Sequence, residues 1–281
     1  MDKKKILFIV GGIFIVISSY FLFDAWMYAT TDNAQIDAHS SLLAAKVPGY
    51  ILDVPVVLGS KVQKGQVLVQ LDDRDYKANY EAAQSEVLSL EAKKNDAEKN
   101  YQRVKDLYAK NVVSQQQYDS TSAVYHEVRA KYDSAHARAK QAQLNIEYSQ
   151  IKAPSDGVVA RISAEQGQLA SAGMPLVGFV SSESRWVTAN FKETDIQDIQ
   201  KGRFAKVEVD ALSGKTFPAE VEHISAATGA TFTLLPPDNA TGNFTKVVQR
   251  IPVRIQFKNL SAADIDLLQA GLSVIVKVKK H

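Results

Sequence analysis

The sequence of 281 residues contains no cysteine, and this absence excludes several kinds of chemistry. Disulfides, thiol nucleophiles and cysteine-based metal sites cannot form. An excess of charge of either sign is also missing, because 33 Lys and Arg residues are balanced by 31 Asp and Glu residues. A chain so close to neutral gives no general case for nucleic-acid binding.

Catalytic and metal-binding motifs are missing as well. The sequence has no P-loop, no glycine-rich dinucleotide fingerprint and no G-x-S-x-G. Asp72, Asp73 and Asp75 look like paired acids, but helix capping explains them more simply. The histidines form neither an i, i+4 pair nor an H-E-x-x-H motif, and they are His39, His126, His136, His223 and His281. The sequence therefore predicts no enzyme activity, no cofactor and no metal site.

One long apolar segment is present, at the N-terminus. Three lysines, Lys3 to Lys5, precede an uncharged run from Ile6 to Phe23 that ends at Asp24. Eighteen residues are near the lower limit for a membrane-spanning helix, and the lysines predict a cytoplasmic N-terminus. A cleaved signal peptide is the alternative, but the run exceeds the usual h-region and no A-x-A site follows. We therefore expect an uncleaved anchor, with the rest of the chain outside the inner membrane.

An internal repeat is the most informative feature of the sequence. Its first copy runs from Ala44 to Asp73 and its second from Ile151 to Val180. Three glycines of each copy match in one ungapped register: Gly49, Gly59 and Gly65 with Gly157, Gly167 and Gly173. Apolar positions match in the same register: Ile51 with Val159, Val54 with Ile162, Leu68 with Leu176, Val69 with Val177, and Leu71 with Phe179. This pattern predicts duplicated short strands and turns.

Neither copy is long enough to bury a core, so we expect the two to pack together as one small sandwich. The stretch between them, from Asp73 to Ser149, has a 3.5-residue period typical of a coiled coil. The seam positions of its first arm are Tyr76, Tyr80, Ala83, Val87, Leu90, Ala97, Tyr101, Val104 and Tyr108. Those of its second arm are Tyr118, Thr121, Tyr125, Val128, Tyr132, Ala135, Ala139, Ala142 and Ile146. Lys94 is the one clear interruption.

The two arms are separated by a short break at Asn111–Val113. Asn111 suits the left-handed residue after a helix, and Ser114 with Gln117 has the spacing of a capping box. Because short connections join antiparallel neighbours, we expect a helical hairpin inserted between the two repeat copies. Each arm of about 36 residues should reach about 55 Å. Asp72 and Asp73 are expected to supply the N-cap and first-turn acids of the outgoing helix, and Pro154 is expected to end the returning one.

The C-terminal region alternates short strands with turns. The expected strands are 186–191, 203–210, 216–224, 247–257 and 273–278, with a short helix over 193–200, a turn at Gly214 and a helical turn over 264–268. Such a succession predicts a small β-barrel, which part of the stretch 31–44 joins.

The fold class expected from the sequence is therefore mainly β with an inserted α-helical hairpin and a single N-terminal transmembrane helix. Its expected parts are a cytoplasmic tail (1–5), a transmembrane anchor (6–25), a tether and first barrel strand (26–43), a first half-sandwich (44–72), the coiled-coil hairpin (73–149), a second half-sandwich (150–181) and a β-barrel or membrane-proximal region (182–281).

The two half-motifs resemble the halves of biotinyl and lipoyl carrier domains. In those carriers the halves meet at a tight turn that bears the modified lysine, whereas here a long coiled coil joins them, which disfavours a carrier role. A split lipoyl-like module with an inserted hairpin behind an anchor resembles the periplasmic adaptor (membrane fusion protein, HlyD) family. The segments from Thr31 to Ile51 and from Leu234 to Ile255 resemble its branch of EmrA-type multidrug efflux adaptors.

This resemblance implies a non-enzymatic adaptor that is anchored in the bacterial inner membrane, with most of the chain in the periplasm. It would bridge an inner-membrane exporter to a TolC-like outer-membrane channel, and the resemblance favours an exporter of the major facilitator superfamily. It would assemble as a trimer or hexamer. The alternatives are an adaptor of an ABC-type secretion or export system, or a small-molecule-binding or carrier module. A drug-binding role for the loop from Ala226 to Phe244 also stays open.

The expected hairpin tip carries one candidate site. Arg103, Leu107 and Ser114 resemble the R-L-S pattern with which adaptors of this family contact TolC-type channels. Arg103 and Leu107 lie one helical turn apart, and Ser114 begins the opposite arm beside them. The resemblance implies that the three residues contact the channel. The alternative is that Leu107 packs in the seam, Arg103 is solvated and Ser114 is only a helix cap.

Overall fold

The computed structural model describes residues 26–212, 215–228, 231 and 248–280. The expected anchor at 6–25 and the turn at Gly214 lie outside these residues. Within the described ranges, no helix combines the length and the apolar character needed to cross a membrane. The chain divides into two compact units, one formed by Ser41–Phe179 and the other by the described residues before and after it.

The described strands and helices follow one another along the chain in this order: β1 Tyr28–Thr31, β2 Ala34–Ala44, β3 Gly49–Asp53, β4 Lys61–Val62, β5 Val67–Leu71, α1 Arg74–Ala109, α2 Gln115–Tyr148, β6 Gln150–Lys152, β7 Gly157–Ile162, β8 Leu169–Ala170, β9 Pro175–Lys192, a 3₁₀ turn Ile196–Asp198, β10 Phe204–Val209, β11 Thr216–Ile224, β12 Arg250–Phe257, α3 Ala262–Leu267 and β13 Val274–Lys279.

The two repeat copies form one intertwined module. β3 of the first copy pairs with β8 of the second, and β4 of the first pairs with β7 of the second. Four glycines donate their N–H groups across to the opposite copy, each at 2.8 Å: Gly59 to Val159, Gly167 to Ile51, Gly65 to Ala153 and Gly173 to Ala45. These glycines have φ between 81° and 86°, a conformation that side-chain-bearing residues rarely adopt. The same bonds therefore recur with the roles of the two copies exchanged.

The core of this module is built from the apolar positions that match between the copies. The side chains of four matched pairs are almost completely buried: Ile51 and Val159, Leu68 and Leu176, Val69 and Val177, Leu71 and Phe179. All eight belong to one cluster, against which Val54 and Ile162 also pack. The prediction that the two copies share one core is confirmed, because buried side chains of both copies belong to the same cluster.

The expected helical hairpin is present as α1 and α2, which pack antiparallel along their length. Most of the predicted seam residues lose solvent exposure, and Val87, Val104, Ala135 and Ala139 are buried, whereas Tyr108 stays 37% exposed. The interruption at Lys94 is also accommodated, since its ammonium lies 4.3 Å from the centre of the Tyr132 ring. With 36 residues, α1 is about 54 Å long.

The start of α1 differs from the expected capping. Asp73 occupies the N-cap position but makes no side-chain hydrogen bond there. Asp72 takes that role instead, because its carboxylate accepts from the backbone N–H of Arg74 at 3.2 Å. The Arg74 side chain also donates to both Asp72 oxygens, which lowers the pKa of Asp72 to about 2. Asp73 pairs with Lys77 one turn further on, at 3.0 Å.

The other unit is an antiparallel sheet in the order β1-β13-β10-β11-β12-β9, with β2 also paired to β9. Residue Ile36 of β2 accepts from Gly271 and donates to Leu272, just before β13. Inward-facing side chains from these strands, including those of Ile36, Phe191 and Ile255, form a single buried cluster. The strands expected at 216–224 and 273–278 are thus present as β11 and β13. Of the strand expected at 247–257, the described part begins at Arg250, and residue 247 lies outside the described residues.

Two expectations about this region are corrected. The segment 26–43 is less of a tether than expected, because β1 and β2 occupy most of it. The strand expected at 186–191 is the C-terminal part of the longer strand β9. The helix expected at 193–200 is only the 3₁₀ turn Ile196–Asp198. The expected part boundaries at 43/44 and 181/182 therefore fall inside strands.

A buried arginine lies in the polar middle of β9. Arg185 is 5% exposed, and it donates to the carbonyl of Leu268 at 2.9 Å and to that of Ser184 at 3.0 Å. A third carbonyl, that of Ser181, also accepts from its guanidinium. Burial lowers the pKa of Arg185, while these acceptors satisfy its charged form. The backbone before the expected strand thus supplies two carbonyl partners for a buried cation.

Candidate functional site

The tip of the hairpin is a tight and fully hydrogen-bonded turn. Lys110 ends α1, and the following Asn111 has a φ of 56°, as the sequence predicts for a left-handed residue after a helix. Its N–H donates to the Tyr108 carbonyl at 2.9 Å, and the N–H of Val112 donates to the Leu107 carbonyl at 2.9 Å. This pair of bonds is the Schellman motif. The turn is therefore defined by its backbone, and not only by the packing of the two arms.

Ser114 begins the second arm of the tip. It has the extended conformation of an N-cap residue, and its hydroxyl oxygen accepts from the N–H of Gln117 at 3.3 Å. The serine half of the expected capping box is thus present. Because capping uses the oxygen as an acceptor, the O–H hydrogen of this hydroxyl can still be donated to another molecule.

Arg103 and Leu107 lie on successive turns of α1 just below the tip. Arg103 is exposed, and its guanidinium has no hydrogen-bond or ion-pair partner among the described residues. Leu107 is half-buried. Its exposure is therefore lower than expected for a residue that only contacts a partner, and higher than expected for a residue packed in the seam. The structure thus brings all three predicted residues to the distal end of the hairpin, with Arg103 fully available to a partner.

A ladder of tyrosines supports this end of the hairpin. The rings of Tyr108 and Tyr118 stack with centres 4.9 Å apart, and those of Tyr101 and Tyr125 stack at 5.2 Å. The hydroxyls of Tyr101 and Tyr118 are 3.1 Å apart, and this hydrogen bond raises the pKa of Tyr118. These tyrosines pack on one another across the seam and stiffen the tip.

The three predicted tip residues present a cation, an apolar side chain and a hydroxyl. In the described part of the chain, no group of three His, Asp or Glu residues is arranged to hold a metal ion. The loop from Ala226 to Phe244, for which drug binding stayed open, falls mostly outside the described residues.

The fold and sequence match known proteins along most of the chain. Residues 41–181 match the family model described as "RND MFP, barrel-sandwich hybrid domain". The chain is 30% identical to the colistin resistance protein EmrA of Acinetobacter baumannii, over 97% of this chain and 91% of that protein. It is also 30% identical to the multidrug export protein EmrA of Haemophilus influenzae, over 99% of this chain and 84% of that protein.

Solved structures share the same fold. A membrane fusion protein of Streptococcus pneumoniae superposes with a TM-score of 0.64 at 17% identity, covering 90% of this chain and 99% of that one. A MacA-MexA chimera that contains the α-hairpin domain of Pseudomonas aeruginosa MexA gives 0.60 at 23% identity, covering 90% and 80%. The split sandwich, the inserted hairpin and these matches agree, and the chain belongs to the membrane fusion protein family of periplasmic adaptors, in its EmrA-type branch.

Proposed function

We propose that this chain is the adaptor subunit of a tripartite pump that exports drugs from the cell. It bridges an inner-membrane exporter of the major facilitator type to a TolC-like outer-membrane channel. The observation that carries this proposal is the hairpin, an arm of about 54 Å whose two helices join one sandwich at its base and whose stiff tip presents free contact groups. Relatives named as a multidrug export protein and a colistin resistance protein support the export of drugs.

The remaining parts of the chain take the roles that the sequence suggests. The N-terminal segment 6–25 anchors the chain in the inner membrane, with the bulk in the periplasm. The C-terminal strands, together with β1 and β2, act as a membrane-proximal β-barrel that contacts the exporter. Several copies assemble side by side, as a trimer or hexamer, so that their hairpins enclose a path to the channel. In this scheme the chain is no enzyme, and the energy for export comes from the exporter.

The hairpin tip is the proposed contact with the channel. Arg103 can donate a pair of hydrogen bonds to a carboxylate or to carbonyl groups on the partner, and Leu107 adds an apolar contact one turn away. The Ser114 hydroxyl can donate from the opposite arm. Because Arg103 has no partner among the described residues, the contact breaks no bond within the adaptor.

An exchange of charge at the tip tests this contact. Arg103→Asp should abolish cross-linking to the channel and lower drug resistance to the level of a strain without the adaptor, at unchanged protein abundance. Lys105→Asp is the matched control, since Lys105 is also exposed on α1 but points away from Arg103. Wild-type cross-linking and resistance in the Arg103→Asp strain would show that the tip does not use this residue.

The class of exporter is tested separately. A major facilitator exporter uses the proton gradient, whereas an ABC-type exporter hydrolyses ATP. Adaptor-dependent export should therefore stop when a protonophore is added to cells whose ATP level is maintained. A membrane protein that co-purifies with the adaptor should contain no nucleotide-binding domain. Export that survives the protonophore and depends on ATP would assign the chain to an ABC-type system.

A further inference from the structure

The outward side of the C-terminal sheet carries aromatic and basic side chains next to the start of β1. Tyr28 of β1 pairs with Lys279 of β13, and Ala205 of β10 pairs with Val278 of β13. Ala205 and Val278 are buried in the core, and successive strand residues point to opposite faces. Tyr28, Lys279 and Phe204 therefore lie side by side on the outward face.

This surface, called the basic aromatic face, is formed by Tyr28, Phe204, Lys206 and Lys279. The Lys206 ammonium lies 6.0 Å from the centre of the Tyr28 ring, so charge and rings share one surface. Phe204 is 42% exposed, and Trp26, two residues before Tyr28 in the chain, is 65% exposed. Large exposed rings grouped in one region are typical of a contact site.

The positive charge of this face is not paired with a carboxylate in the described part of the chain. Lys206 and Lys279 are exposed, and neither forms an ion pair there. Lys201, in the turn before β10, is likewise exposed and has no ion pair among the described residues. Glu220, on the neighbouring strand β11, is already paired with Lys258. The face therefore keeps a positive charge that an external anion can bind.

The position of the face along the chain indicates what covers it. The uncharged run that the proposed function takes as the membrane anchor ends at Phe23. Trp26 follows after three residues and Tyr28 after five, which is at most about 11 Å and about 18 Å of extended chain. The headgroup layer of a bilayer is itself about 5–8 Å thick on each side. An anchor that spans the membrane therefore holds the start of β1 close to the headgroups.

We propose that the basic aromatic face lies on the periplasmic surface of the inner membrane and binds the headgroups of anionic phospholipids. Lys206 and Lys279 donate to headgroup phosphates, and the rings of Tyr28 and Phe204 lie between the headgroups. The side chains select this occupant, because lysines are attracted to an anionic bilayer and aromatic rings are enriched at its interface. The inference rests on the proposed function, since it takes the segment 6–25 as the anchor.

A second contact with the membrane adds what a single anchor lacks. One spanning helix fixes the height of the C-terminal sheet above the bilayer but does not by itself fix the orientation of the sheet. Binding of headgroups by β1, β10 and β13 holds one side of the sheet against the surface. The membrane contact thereby orients the sheet that the proposed function assigns to the exporter.

A fluorescent label at Phe204 tests this contact in the full-length chain, which has no cysteine of its own. The Phe204→Cys chain is labelled with an environment-sensitive dye and reconstituted into vesicles of phosphatidylcholine with or without anionic phosphatidylglycerol. Lipids with a nitroxide on the headgroup should quench the label strongly only in vesicles with phosphatidylglycerol, and high salt should weaken this quenching. Equal quenching in both kinds of vesicle would mean that charge does not hold the face on the membrane, which overturns the proposal.

Leu267→Cys is the matched control for the label. Leu267 is 41% exposed and lies on α3, which precedes the end of β13 opposite to Lys279. A label there should stay in water in both kinds of vesicle, because a strand length of about 20 Å separates the two ends. If the labels at both positions are quenched alike, the contact is not made through the basic aromatic face and the proposal is wrong.

Charge reversal tests the lysines. In the labelled Phe204→Cys chain, Lys279→Glu should lower the ratio of bound to unbound face at least about fivefold in vesicles with phosphatidylglycerol, because an attraction is replaced by a repulsion. Lys215→Glu is the control and should leave the quenching unchanged. Lys215 is exposed just before β11, whose start pairs with the end of β10 remote from Phe204. Quenching that survives Lys206→Glu and Lys279→Glu together would contradict the proposal.

The outcomes separate this inference from the proposed function. If the label at Phe204 leaves water only when the exporter is reconstituted with the chain, the face serves that protein and the lipid contact is refuted. If the chain inserts but the label stays in water in all vesicles, the inference is wrong while the anchor and the adaptor role stand. If the chain does not float with the vesicles, both the anchor and the inference fail. If the face binds lipid as described but the chain supports no drug export with any exporter, the proposed function fails and the membrane contact is retained.

Discussion

At the scale of single residues, the duplicated sandwich provides pairs of positions that should behave alike. Leu68 and Leu176 are matched between the copies and both are completely buried. Truncation of either to alanine removes the same apolar group from the same core, so each should lower the free energy of unfolding by about 2–5 kcal/mol. Urea unfolding of the purified chain measures this. Leu52→Ala, at an exposed position of β3, should cost much less, and a large difference between the two buried variants would argue against a shared core.

Asp72 predicts a pH effect at the base of the hairpin. Arg74 lowers its pKa from 3.8 to about 2, mainly by side-chain hydrogen bonds. A lowered pKa means that the carboxylate stabilises the folded chain at pH values above its unfolded value, and that this contribution is lost as the pH falls from about 4 to about 2. An NMR titration of the Asp72 side chain should therefore show a midpoint near 2.

The variant Arg74→Ala supplies the control for this titration. Without the guanidinium, the Asp72 midpoint should rise towards the ordinary value of an aspartate. Because the pair is exposed, we expect little change in stability at neutral pH. A midpoint that does not move would mean that another group holds the carboxylate in its charged form.

The glycines and apolar pairs of the repeat could be recognised from the sequence because their spacing is fixed by the strands and turns they form. Other residues could not be predicted in this way. Arg185 lies in a polar segment, and only the fold brings the Leu268 carbonyl to its guanidinium. Likewise, the choice of Asp72 over Asp73 as the capping side chain depends on rotamers that sequence spacing does not determine.

At the scale of elements, the hairpin shows what a periodic pattern determines. The 3.5-residue period identifies which residues face the seam, and the cap signals locate the turn at Asn111. The pattern does not predict how large side chains pack against one another within the seam. In the structure, Tyr101 stacks on Tyr125, and Tyr108 stacks on Tyr118. Stacking across the seam also sets the register of the two arms, which periodicity alone leaves undetermined.

The contact between Lys94 and Tyr132 provides a test of this register in the middle of the hairpin. Its ammonium lies over the Tyr132 ring, an attraction of about 0.5–1 kcal/mol where it is partly exposed. Lys94→Gln should therefore lower the free energy of unfolding by that amount. Lys93→Gln, on the exposed side of the same turn, should have almost no effect. In a Tyr132→Leu background the cost of Lys94→Gln should disappear, and its persistence would mean that Lys94 acts through another partner.

At the scale of the whole molecule, the length of the arm links the sandwich to its function. α1 begins and α2 ends in one module, since the N–H of Leu71 donates to the Ser149 carbonyl where the two arms meet the strands. An arm held at its base can position its tip only through its length and stiffness. If the tip contacts a channel, the distance from sandwich to tip must match the gap that the adaptor spans.

A matched deletion of one heptad from each arm tests this requirement. Because Lys94 faces Tyr132, residues 88–94 lie opposite residues 132–138, and removal of both segments keeps the seam and the register intact. The shortened arm loses about 10 Å of reach. We expect the chain to fold and to co-purify with its exporter, but to lose cross-linking to the channel and drug resistance. Deletion of 88–94 alone should instead disrupt the hairpin, visible as a loss of helical circular dichroism. Full resistance in the doubly shortened chain would mean that the reach of the arm does not limit assembly.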